Sequence, residues 1–158
     1  MMCSYNTLNG IPACSNKYLL QDIARDHWNW TDRNQYITTD CNAVKDIYAN
    51  VSARNPPFST SVDVLTSNTQ HNYTDTLAEA TAISLIEGTD QICVVGNVNV
   101  TDQAGAFSQG LLTGDTIDLA LVRQYQGLIS AGYFDQTSPY RNYSWADVNS
   151  PEAQALAL

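Results

Sequence analysis

An α/β fold with parallel strands is what this sequence predicts, on three observations. A short aromatic and β-branched run, Tyr36-Ile37-Thr38-Thr39, ends on Asp40 and leads into the helix-like Ala43-Val44-Lys45-Asp46-Ile47-Tyr48. The same strand-then-helix order recurs along the chain to give three units, and that alternation calls for a parallel sheet with right-handed crossovers. Helix limits are also written in the residues: Thr76 and Glu79 match a capping box, and Gly88 stands where a helix closes on a left-handed residue. At 158 residues the chain has the length of one domain but is short of the about 250 residues of a complete (β/α)8 barrel.

Taken in order, Met1-Met2-Cys3-Ser4-Tyr5 reads as a strand, and Asn9-Gly10-Ile11-Pro12 is turn chemistry. Ser15-Asn16 offers an N-cap, after which Leu19, Leu20, Ile23, Ala24, His27 and Trp28 recur at helical spacing and predict an amphipathic helix. His27 reads as a flank residue of that helix, not as a catalytic imidazole. The second strand is Tyr36 to Asp40. The helix that follows it at a distance spans about Asp75 to Glu87. Between them, Val51 to Gln70 is polar, Pro-Pro-containing and aperiodic, an unusual length of structureless chain for a compact domain. A third strand is expected at Gln91 to Val95, a short helix around Ala104 to Leu111, and a longer one from Thr113-Gly114-Asp115 to near Gly132. The apolar face of the longer helix carries Ile117, Ala120, Leu121, Tyr125, Leu128 and Ile129. Tyr133 to Val148 reads as a linker, and Ser150-Pro151-Glu152 as the start of a last helix.

Charge and composition remove several function classes. With 16 Asp plus Glu against 7 Lys plus Arg, net −9, the surface repels phosphate backbones, so nucleic acid is not an expected partner. No apolar run reaches the about 18 residues of a membrane span, and the first residues show neither a basic leader nor an apolar signal core. The expected site of action is nevertheless extracellular, because Asn-x-Ser/Thr acceptors begin at Asn29, Asn50, Asn72, Asn99 and Asn142. Cys3, Cys14, Cys41 and Cys93 admit three pairings, or none if they are buried thiols. Their spacing is not that of a zinc or redox motif, and His27 and His71 are the only imidazoles, so neither a metal nor a cofactor is expected.

Asp40 is the residue to which chemistry attaches. A carboxylate leaving a buried strand is held rigidly where loops converge, as catalytic groups are in α/β barrels. The same position also suits a turn former or a helix cap.

The ordered motifs resemble those of glycoside hydrolase family 3, in particular its fungal β-xylosidase branch. Met2-Cys3-Ser4-Tyr5-Asn6 with Asn9-Gly10-Ile11-Pro12-Ala13-Cys14 is similar to that branch's strand and loop before the nucleophile. Thr39-Asp40-Cys41 resembles its Ser-Asp-Cys nucleophile motif, and Gly88-Thr89-Asp90 with Cys93 its Gly-Thr-Asp-x-x-Cys strand. Gly132-Tyr133-Phe134-Asp135, Pro139-Tyr140-Arg141 and Trp145-Ala146-Asp147-Val148 look like the end of the first domain and its linker. Thr39 for Ser, Asn42 for an acid, and Asn97-Val98-Asn99 depart from the pattern.

The resemblance implies the C-terminal part of a (β/α)8 barrel domain over 1–135, a linker over 136–150, and the start of an α/β sandwich domain over 151–158. It implies Asp40 as the nucleophile of a retaining glycosidase, with Met2, Tyr5 and Cys41 lining the sugar subsite. It also implies disulfides Cys3–Cys14 and Cys41–Cys93, the second narrowing the pocket toward a pentose. The substrate implied is a xylo-oligosaccharide or aryl β-xyloside. The general acid/base and other sugar-gripping residues are expected outside this stretch, so the isolated chain is expected to be inactive. Removing 51–70 restores a pattern similar to the family's Ile-Tyr-x-x-His-x-Tyr. Val51-Ser52 and Gln70 are encodable by the two ends of an intron, so the segment reads as a retained intron or an inserted loop. Two other functions stay open: a β-glucosidase of the same family, or a non-catalytic secreted glycan-binding or structural fragment in which Asp40 only caps a turn.

Overall fold

The computed structural model describes residues 1–31, 35–48, 71–95 and 101–157. Three extended segments lie side by side in parallel. Strand β1 (Met2–Cys3) pairs with the later strand Thr38–Thr39 in the register Met2↔Thr38 and Cys3↔Thr39. Gln91 bridges Thr38 from the other side, also in parallel. Between the first two segments, β2 (Thr7–Leu8) and β3 (Ile11–Pro12) form an antiparallel hairpin. The Thr38–Thr39 strand is β4.

The hairpin turns on Asn9 and Gly10, both left-handed, with φ of 53° and 81°. Two positive φ values suit the right-handed twist of the flanking strands, and Asn-Gly supplies them at least cost. The sequence marks this as a turn; the paired strands on either side are what the structure adds.

Strand lengths are shorter than the sequence predicts. The run Tyr36 to Asp40 contributes Thr38–Thr39, and Gln91 to Val95 joins the sheet by one bridge before continuing as extended chain. The main-chain bonds nonetheless extend beyond the strands: Thr38 N–H donates to Met1 O at 2.9 Å, Thr39 N–H to Gln91 O at 2.9 Å, and Asp40 N–H to Cys3 O at 2.8 Å. Helix, strand and helix alternate around this small parallel sheet, so the fold class is α/β.

The predicted first helix is present as Tyr18–His27, but with π pitch. Its end shows the wide closure, Trp28 N–H donating to Ile23 O five residues back at 2.9 Å. Leu20 and Ala24 are buried, His27 and Trp28 exposed. Helix α1 (Ala43–Tyr48) buries Ala43, Val44 and Ile47 against Leu20, Ile37 and the Cys3 and Cys14 region. Helix α2 (Leu77–Ile86) starts on the predicted capping box, with Thr76 Oγ1 accepting from Glu79 N–H at 3.1 Å and Glu79 Oε2 accepting from Thr76 N–H at 3.1 Å. Its buried residues Ala78, Ala80, Thr81, Ala82 and Ser84 are all small, which lets α1 on one side and α3 (Gln103–Ser108) on the other approach closely. Ala78 and Ala82 meet Ala106 and Leu112 in a second apolar cluster.

Helix α4 (Gly114–Ser130) is capped by Thr113, whose Oγ1 accepts from Thr116 N–H, and is closed by Gly132 at φ 72°. Among its residues Ala120 alone is fully buried, while Leu121, Val122, Tyr125 and Ile129 are exposed. The predicted linker holds two short 3-10 turns, Pro139–Asn142 and Trp145–Asp147, and α5 (Pro151–Ala157) follows. The segment 51–70 lies outside the described residues, as do Asn50 and Asn97 to Asn99. No helix among the described residues is long and apolar enough to cross a membrane.

Candidate active site

Asp40 sits where β4 ends and the turn into α1 begins. Its main chain is fixed on both sides: its N–H is bound to Cys3 O, and its carbonyl accepts from Ala43 N–H at 3.2 Å. Its Oδ1 accepts from Cys41 N–H at 2.7 Å. Asp40 therefore does serve the turn, as its position suggested, and it remains half-buried at the strand exit.

Tyr5 is brought beside it. The phenol lies within donating distance of Cys41 O, at 2.5 Å, and of the Asp40 carboxylate, and the two compete for its one hydrogen. Burial, then the charge and hydrogen bond of Asp40, then the charge of Asp46, hold the phenol above its ordinary pKa of 10.0. Tyr5 thus stays neutral and able to donate. Met2 pairs in register with Thr38 on the same sheet, and its side chain is 56% exposed. Of the residues expected to line a subsite, the structure gathers Tyr5 and Cys41 at Asp40, while Met2 occupies the adjoining open edge.

Both disulfides that the resemblance implies are present. Cys3–Cys14 ties the end of β1 to the turn after the hairpin, with Cα atoms 5.3 Å apart. Cys41–Cys93 ties the residue after Asp40 to the third extended segment, with Cα atoms 4.3 Å apart. Around the second bridge, Thr39 Oγ1 accepts from Cys93 N–H at 3.0 Å and Asn42 N–H donates to Cys93 O at 2.9 Å. Asn42 Oδ1 also accepts from Val95 N–H at 3.0 Å. Thr39 and Asn42, the two departures from the family pattern nearest Asp40, thus clip the third segment to the turn; Asn42 does so in a left-handed conformation, φ 69°.

Beneath the site lies a feature that sequence reasoning missed. Asp90 is buried and shared between two guanidiniums, Arg25 at 2.7 Å and Arg123 at 3.1 Å. The same Oδ2 that binds Arg25 accepts from Ile37 N–H at 2.8 Å, three residues before Asp40. Arg25 is buried too and donates to Gly88 O at 3.2 Å. A lone Arg within an amphipathic helix carries no signal of burial, so only the three-dimensional partner reveals it. Of the other carboxylates, Glu79 closes its capping box, Asp102 Oδ1 caps α3 through Gly105 N–H, and Asp147 closes the cap of its own turn. Among the sequons in described regions, Asn29, Asn72 and Asn142 are all exposed.

The same stretch recurs in curated fungal proteins. The chain is 45% identical over 159 residues to a probable exo-1,4-beta-xylosidase of Neosartorya fischeri, and that match covers 99% of this chain. It is 38% identical over 158 residues to an exo-1,4-beta-xylosidase of Emericella nidulans. A solved GH3 exo-beta-xylosidase, XlnD, in complex with a xylobiose aziridine activity-based probe, aligns over 99% of the chain with a TM-score of 0.73 and 33% identity. Over its length this chain is similar to a stretch of a glycoside hydrolase family 3 xylosidase. The chain spans about 18% of the length of those curated relatives and 17% of the solved family 3 xylosidase chain. A likeness of fold alone extends to a beta-glucosidase from Listeria innocua in complex with isofagomine, with a TM-score of 0.68 at 22% identity. No protein-family model matches the chain.

Proposed function

We propose that this chain carries the nucleophile of a retaining β-xylosidase, within the C-terminal part of a (β/α)8 barrel domain that acts outside the cell on xylo-oligosaccharides. The observation that carries the reading is Asp40 itself: a carboxylate at a parallel-strand exit, beside a neutral phenol, in a stretch 45% identical to a probable exo-1,4-beta-xylosidase.

In this reading an Asp40 oxygen attacks the anomeric carbon of the terminal xylose as the bond from that carbon to the leaving oxygen breaks. The leaving oxygen takes a proton from a separate acid, and water then hydrolyses the glycosyl ester. Retaining chemistry needs that acid about 5 to 5.5 Å from the nucleophile. Asp90, Glu79, Asp102 and Asp147 are committed to structural bonds, so none is cast in that role. Tyr5 and Met2 border the sugar, and the Cys41–Cys93 bridge narrows the space beside it, which favours a pentose over a hexose. The barrel part runs over 1–135, with the linker over 136–150 and a second domain beginning at 151.

The test is a chimera in which this chain replaces the matched stretch of the Neosartorya fischeri protein. Exposure to a xylobiose aziridine probe, digestion and mass spectrometry should place the label on Asp40, and the Asp40→Ala chimera should take up none. A folded chimera labelled elsewhere, or one that turns over aryl glucosides in preference to aryl xylosides, would defeat the proposal.

A further inference from the structure

Tyr5 is held at two ends by different parts of the chain. Its phenol is bound to Cys41 O, and its own carbonyl receives the His71 ring, with Nε2 at 2.6 Å. A carbonyl has no hydrogen to give, so His71 Nε2 must carry one, in either the neutral Nε2–H tautomer or the imidazolium. His71 is itself seated on α1: its N–H donates to Asp46 O at 2.7 Å, and Tyr73 N–H donates to Ile47 O at 2.8 Å. Those carbonyls are ones that the end of a helix leaves without intrahelical partners. Helix α1 begins three residues after Asp40.

The bonds form a closed circuit from Asp40 through α1 to His71, through Tyr5, and back to Cys41. Tyr5 is half-buried, so packing does not fix it from every side and its placement depends on these polar ties. We propose that His71 is a positioning residue for Asp40: its Nε2–H anchors the backbone of the tyrosine whose phenol meets the nucleophile turn. The role in catalysis rests on the reading of Asp40 as nucleophile; the His71–Tyr5 tie does not.

The experiment has two arms. In the full 158-residue chain with isotope-labelled tyrosine, the Tyr5 ring resonance is identified by its loss in Tyr5→Phe and titrated by NMR. In the chimera described above, the rate of labelling by the xylobiose aziridine is measured. His71→Gln keeps a donor at the reach of Nε2 and should leave the Tyr5 titration in place and the labelling rate within about twofold. His71→Asn, whose donor falls short, and His71→Leu should move the Tyr5 midpoint down toward its ordinary value of 10.0 and slow labelling roughly tenfold or more, since small misplacements of a reacting group are costly. Should His71→Leu fail to fold, the Gln and Asn variants decide. Folded Asn and Leu variants with wild-type titration and labelling would overturn the proposal, and so would a Gln variant as impaired as Leu. A Tyr5 resonance that responds as expected in the 158-residue chain, beside a folded chimera that never labels, would remove the xylosidase reading and leave the coupling standing.

Discussion

At the scale of the residue, the place of Asp40 at a strand exit was legible in the sequence and the burial of Asp90 between two arginines was not. Asp40 could be found because a strand pattern that stops on a carboxylate is a local signal, and the motif around it is short and contiguous. Asp90 reads locally as a strand start, and its two arginines lie 65 and 33 positions away in the chain. If Asp40 is the nucleophile, Asp40→Ala in the chimera should lower aryl-xyloside turnover by on the order of a thousandfold or more, with azide partly restoring it. Unchanged turnover would end that reading. Removing Asp90 leaves two guanidiniums facing each other in the interior, one of them with a side chain only 4% exposed. Asp90→Ala should therefore cost about 3 to 5 kcal/mol in urea unfolding of the full chain. Tyr5 gives a pH signature. Its folded pKa is raised from 10.0, so its contribution to stability is whole below 10.0 and is lost as pH rises from there through the folded value. Tyr5→Phe should flatten that alkaline loss in a melting-temperature series.

At the scale of the element, helix limits were read well and strand lengths poorly. Caps are local chemistry: Thr76, Glu79 and Gly88 act within their own turn, so their sequence is their structure. Strands depend on neighbours, and the run from Ile92 to Val95 is held by clips from Thr39 and Asn42 more than by ladder bonds, which no propensity reveals. The π pitch of Tyr18–His27 was equally hidden, since its apolar spacing fits an α-helix as well. Two covalent ties compensate for such short strands. With sequence separations of 52 for Cys41–Cys93 and 11 for Cys3–Cys14, the chain-entropy model assigns about 4 and about 3 kcal/mol to them. Replacing both cysteines of the longer loop by alanine should therefore destabilise the chain more than the same change in the shorter one, as judged by denaturant midpoints. Thr76→Ala, which removes one cap, should cost about 1 kcal/mol.

At the scale of the whole molecule, the apolar surface is distributed unevenly. Leu121, Val122, Tyr125 and Ile129 stand exposed along α4, and Val94 and Val95 are exposed at the end of the third parallel segment. Patches of this kind associate when left uncovered. The 158-residue chain in isolation should therefore self-associate at micromolar concentration in sedimentation runs, and a Val122→Lys, Ile129→Lys pair should shift it toward monomer. The α/β class was legible from the alternation of strand and helix, while the uncovered face of α4 was not, because its pattern is that of any amphipathic helix with a partner. One small feature bears on how the molecule ages. The hairpin turns on an exposed Asn9-Gly10 step, the pairing in which a backbone nitrogen most readily attacks the preceding carboxamide. Ammonia leaves to give a succinimide, and water opens that ring to an isoaspartyl linkage. That linkage lengthens the main chain by a methylene inside a two-residue turn, so preparations stored at mildly alkaline pH should lose the Leu8↔Ile11 register first, on the strand leading to the Cys14 bridge.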